Sequence, residues 1–139
     1  MVSITLKGRE IPLLYTTFEM KLMQEQIAPL DKVLDYIWGK DPDKEGKEKN
    51  IAFSAEHISA VSKAVMILGN AGLEEAGETP DLTEKKILRA LKPYEFANAM
   101  NKCIEAITIG MMSEIPEKKS DEPVDVTLEE MKKKKEKES

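Results

Sequence analysis

Val2, Ile4 and Leu6 alternate with Ser3, Thr5 and Lys7, so an extended segment here carries one apolar and one polar side. Lys7-Gly8-Arg9-Glu10 supplies a turn, and Ile11, Leu13 and Tyr15 resume the alternation, which predicts a small N-terminal β-hairpin. Pro12 cannot donate to a ladder on both sides and so places the second arm at an edge or shortens it. Because a lone hairpin is marginal in water, it must lie on other structure.

The period then changes from two to about 3.6. Thr16 and Thr17 are cap candidates before a run of good helix formers reaching Ile27, with Phe18, Leu22, Met23 and Ile27 on one face. Pro29 interrupts it, and a second short helix is predicted from Leu30 to Trp38, its stripe being Leu30, Val33, Leu34, Ile37 and Trp38. Gly39 ends it, since glycine tolerates the left-handed conformation found just past helices. From Lys40 to Asn50 no residue can build an apolar face, which predicts a mobile loop.

Ser54 opens a third helix whose stripe is Ile58, Val61, Val65 and Leu68; Met66 and Ile67 widen it, so this helix is expected to be central. Gly69, Gly72 and Gly77 weaken helix continuity, and Glu78-Thr79-Pro80-Asp81 is turn chemistry before a short helix around Thr83 to Leu91. Pro93 fits a first helical position, and Phe96, Met100, Cys103, Ile104 and Ile107 define a long amphipathic helix to about Met112. The expectation is a mainly α domain of about five helices with an N-terminal β-hairpin over residues 1–112, followed by a charged, flexible tail over residues 113–139.

Composition narrows the function classes. The 139 residues suffice for one domain with a real core. A net charge of −5 disfavours nonspecific attraction to phosphate backbones or anionic lipid, so neither nucleic acid nor membrane is expected as a partner. One cysteine and one histidine disfavour a disulfide scaffold and a His/Cys metal site. The longest apolar run, Ala64 to Leu68, is far too short to span a bilayer, and the start lacks a signal-peptide pattern.

Candidate chemistry is sparse. Asp41, Asp43, Glu45 and Gly46 imitate the first half of a calcium loop, but Ala52 stands where a bidentate Glu is needed, and Lys44, Lys47 and Lys49 bring opposing charge. His57 and Cys103 form no recognisable nucleophilic signature: the histidine reads as a surface imidazole in a first helical turn, the cysteine as part of an apolar stripe. The glycines match no phosphate-binding fingerprint. Lys85, Lys86 and Arg89 followed by a helix could imitate a helix-turn-helix, yet Glu95 and Glu105 oppose a groove-reading role. No enzyme activity and no cofactor are expected.

The methionines say more, because Met adapts to irregular apolar partners and recurs on surfaces that hold varied segments. Met20 and Met23 fall on the first helix and Met100, Met111 and Met112 on the last.

Read in order, the strand Ser3-Ile4-Thr5-Leu6, the Lys7-Gly8-Arg9-Glu10 turn, the Pro12-Leu13 strand, the Met/Leu/Glu-rich helix and the proline-started helix from Pro29 to Trp38 resemble the tail assembly chaperones of long-tailed, siphovirus-type bacteriophages and prophages. The helical body and charged tail are also similar to that family. The resemblance implies a non-enzymatic protein of the bacterial host cytoplasm that binds the long helical tape measure protein, keeps it soluble while tail-tube subunits assemble, and is absent from the mature virion. Tail-tube subunits are then a further partner class. Many such chaperones exist in two lengths through a programmed frameshift, and the run Lys132 to Lys135 is compatible with slippery adenine-rich codons.

On this reading Met111, Met112 and Ile115 contact the client through helix-in-groove anchors, and Met20 and Met23 offer a second surface. Self-association through the apolar central helix stays open. Two other functions remain as alternatives: a small acidic DNA-associated regulator and a structural head–tail joining subunit.

Overall fold

The computed structural model describes residues 2–112. Strands β1 (Ser3–Leu6) and β2 (Arg9–Pro12) pair antiparallel with Ser3 opposite Pro12 and Leu6 opposite Arg9. Lys7 at φ 50° and Gly8 at φ 79° alone make the turn, both left-handed as the tightest hairpin loops require. Arg9 and Glu10 therefore belong to the strand, not to the turn. Val2, Ile4, Leu6, Ile11 and Leu13 form the buried face that the alternation predicts.

That face rests on a long helix. The expectation that Gly69 and Gly72 weaken helix continuity is corrected: α3 (Ala55–Glu75) runs unbroken through both. A β-carbon on Gly72 would overlap the backbone of Pro12, and one on Gly69 would meet Leu82 at 2.6 Å and Ile11 at 3.2 Å. The glycines are the seat that lets β2 approach the helix axis, and the Leu14 N–H donates to the Leu68 carbonyl at 3.1 Å beside it. Only Gly77, at φ +80° past the helix end, acts as a terminator.

Helix α1 (Thr16-capped, Thr17–Gln26) begins with a capping box in which the Glu19 carboxylate accepts from the Thr16 N–H at 2.9 Å and from its hydroxyl. The box turns Glu19 inward, and it is buried; Phe18, expected on the core face, points out and is 61% exposed. Helix α2 (Leu30–Ile37) ends at Trp38 and at Gly39 with φ +86°. Only Val33 and Ile37 of its predicted stripe are buried; Leu30, Leu34 and Trp38 are not.

The segment expected to be a mobile loop is organised around one buried carboxylate. Lys40 and Asn50 bridge its ends, Asp41 Oδ1 accepts from the Asp43 N–H at 3.0 Å and the Tyr36 hydroxyl at 3.3 Å, and Gly46–Lys49 form a 3-10 turn. A charged stretch can be ordered when an Asx-type contact replaces the missing apolar face.

After α3 the chain is held by Asn70, whose side-chain amide donates to the Leu82 carbonyl at 3.1 Å and accepts from the Leu82 N–H at 2.9 Å. Thr83 caps α4 (Glu84–Ala90), and a 3-10 turn at Pro93–Glu95 leads into α5 (Phe96–Met112). Helices α1, α2, α4 and α5 and strand β2 all pack on α3, whose Val61, Ala64, Val65 and Leu68 are fully buried. The protein is thus mainly helical with a two-stranded N-terminal hairpin, as the periodicity predicts, and α3 is its centre.

Candidate functional site

The one histidine is a structural brace. It was expected at the surface, yet His57 is 2% exposed: its Nδ1 accepts from the Phe53 N–H at 2.9 Å and its Nε2 faces the Ile37 carbonyl at 2.8 Å. Since a backbone N–H must be met by a lone pair and a carbonyl by a proton, the ring carries its hydrogen on Nε2. Phe96 packs edge-on against the imidazole, with centroids 5.0 Å apart. Phe53 is held at φ 65°, a strained conformation for a bulky residue, by this hydrogen bond and by the Phe96 ring 5.5 Å away. Cys103 is fully buried, and that burial pushes its thiol up to about 12. His57 and Cys103 are thus both occupied in packing.

Two of the three calcium-like acids are likewise engaged. Asp41 serves its own loop, and Asp43 accepts from Lys32 at 2.8 Å; this hydrogen bond, with the Asp43 charge, raises the Lys32 ammonium above its ordinary range. Desolvation, then the Asp41 charge, raises the Tyr36 phenol. Among the described residues no group of His, Cys, Asp and Glu could hold a metal ion. An open groove of about 520 Å³ lies between the α1–α2 corner and the start of α3, lined in part by Ile27, Pro29, Lys32, Tyr36 and Lys63. Its two lysines are engaged internally, Lys32 with Asp43 and Lys63 with the Gln26 carbonyl at 3.2 Å.

What the fold leaves outside is apolar side chains at helical spacing. Leu30, Leu34 and Trp38, one turn apart along α2, are 46%, 37% and 45% exposed. At the end of α5, Ile109 and Met111 are exposed and Met112 is half-buried. The methionine candidates divide accordingly. Met111 lies on the surface; Met20 is half-buried against the core. Met23, 1% exposed, is a core residue and offers no surface; it lies one turn after the inward-facing Glu19, on the same side of α1. Ile115 lies outside the described residues. Met20 and Met111 come from elements that meet at Tyr15: α1 starts just after it, and α5 packs Gly110 on its backbone. There the Tyr15 phenol is raised by desolvation and then by the neighbouring Glu19 charge.

The α2 surface was missed because its residues read as core. The available signal was breadth: at about 100° per residue, Val33, Ile37, Leu30, Leu34 and Trp38 spread over about 140° of a helix only two turns long. A short helix at the margin of a fold buries one side of such an arc, and the other side stays out.

Among the described residues no helix is long and apolar enough to cross a membrane. No family model, curated protein or solved structure matches the chain.

Proposed function

We propose that this protein is a non-catalytic holding protein that covers apolar helical segments of a longer client, acting as a phage tail assembly chaperone toward a tape measure protein in the bacterial host cytoplasm. The reading is supported chiefly by the exposed Leu30–Leu34–Trp38 stripe, an apolar row at the spacing by which one helix receives another. Met111 and Ile109 at the end of α5 add pliable apolar contact, and Met20 contributes its exposed part. Buried aromatic anchors dominate such interfaces, which makes Trp38 the strongest single contributor. The net charge of −5 keeps a protein with exposed apolar rows soluble while it waits for its client.

Reversibility follows from the same features. Isolated apolar rows bind by shape-tolerant contact, without a deep pocket that would slow release. The decisive experiment is co-expression with a long helical client of the tape-measure type, comparing the native chain with L34S/W38S and M111S/M112S variants of unchanged helicity. Client that stays soluble with the native chain and precipitates with L34S/W38S supports the reading. Client that precipitates with the native chain, or that both variants protect equally well, overturns it.

A further inference from the structure

In a chain of net charge −5, α4 and its exit carry a concentrated positive face: Lys85, Lys86, Arg89 and Lys92 are all exposed. Lys86 is tied to the Asp81 carbonyl at 3.1 Å, whereas Lys85, Arg89 and Lys92 pair with no carboxylate of the described residues. Of the acids nearest in sequence, Glu84 accepts from Ser62 at 3.2 Å, and Glu95 caps the Lys92 N–H at 2.8 Å without pairing with a cation of the face. Leu88, 37% exposed, sits among the free cations. The face therefore fits a segment that combines several carboxylates with a few apolar side chains.

The chain contains such a segment. Residues 121–130 carry Asp121, Glu122, Asp125, Glu129 and Glu130 with no lysine or arginine, interleaved with Val124, Val126 and Leu128. We propose that this acidic segment docks on the Lys85–Arg89–Lys92 face of α4 in its own chain, with Leu88 as the apolar contact. The reach suffices. Helix α5 ends beside Tyr15, Leu14 bonds to Leu68, and Gly69 abuts Leu82, the residue before the α4 cap, so the exit of α5 and the entry of α4 both lie against the C-terminal half of α3, while Lys92, just before α5, is about 25 Å away along that helix. The eight residues from Ser113 to Ser120 span about 26 Å when extended. Single exposed ion pairs contribute little, so docking draws on several charges together and on their screening-sensitive field. This inference is independent of the client-holding reading, since it concerns α4 and not the α2 and α5 surfaces.

The test uses the full chain carrying Ser120→Cys, labelled with a nitroxide at that introduced thiol while Cys103 stays buried, and reads paramagnetic broadening of backbone amides by NMR. A loss of roughly twofold or more in amide intensity across Lys85 to Lys92 is expected at low salt. It should vanish at about 1 M salt, where the Debye length falls to about 3 Å. It should also vanish in K85E/R89E and return when D121K/E122K is added, a charge swap that a mere folding defect would not repair. Broadening that is absent, spread evenly over the chain, or indifferent to K85E/R89E overturns the proposal. Broadening of unlabelled, isotope-enriched protein mixed with spin-labelled protein overturns it in favour of docking on a second copy. Unbroadened α4 amides that shift on adding a short DNA duplex overturn it in favour of a nucleic-acid face.

Discussion

The carbonyl oxygen of Pro12 occupies the space that a β-carbon on Gly72 would need. This contact locks the hairpin to the central helix, and it sets two opposing effects against each other when Gly72 is changed. Alanine in a helix interior gains about 0.5–1 kcal/mol over glycine, whereas overpacking against backbone typically costs about 1–3 kcal/mol. Gly72→Ala should therefore lower stability in urea unfolding. Gly69→Ala should cost less, because what it meets most closely is the flexible end of Leu82, which can move aside.

The His57 brace makes a second prediction. His57→Leu keeps the volume roughly but leaves the buried Ile37 carbonyl and the part-buried Phe53 N–H without partners; the first costs about 1–3 kcal/mol and the second, which water can reach, about 1 kcal/mol. A destabilisation of about 2–4 kcal/mol is expected in chemical denaturation. Nitrogen-detected imidazole spectra of the native protein should show the Nε2–H tautomer; the opposite tautomer would contradict the assigned hydrogen bonds.

Cys103 should resist alkylation in the native protein at pH 8 and react at once in denaturant, because its thiol is fully buried and raised from 9.0 to about 12. The sign of the linkage follows: the folded state holds the proton more tightly than the unfolded state. The resulting stability is complete below about pH 9 and is lost as pH climbs toward about 12, at no more than about 1.4 kcal/mol per pH unit. Cys103→Ala should flatten that alkaline decline in unfolding experiments. The raised Tyr15 phenol acts in the same direction and leaves a residual slope.

On α2, two apolar residues three positions apart should behave oppositely. Ile37→Ala, at a fully buried position, should cost about 2–5 kcal/mol. Leu34→Ala, at an exposed one, should cost less than about 1 kcal/mol while weakening client holding. Equal losses of stability at the two sites would mean that the stripe is core after all.

Much of the fold was legible in local pattern. The alternation around Ile4 and Ile11, the Thr16 and Ser54 caps, and the Gly39 terminator are decided by backbone hydrogen bonds and positive φ within a few residues, so the sequence alone determined where the hairpin and five helices lie. Of the candidate surface, Met111 could be named from its place on the last helix.

What periodicity does not encode is which part of an apolar arc meets a neighbour. Tertiary packing decided that Met23 and His57 go inward, that Phe18, Leu34 and Trp38 stay out, and that Gly69 and Gly72 seat a strand. The physical reason is geometric: burial depends on how close a second element can approach, and that distance is set by residues far away along the chain, as Pro12 and Gly72 are.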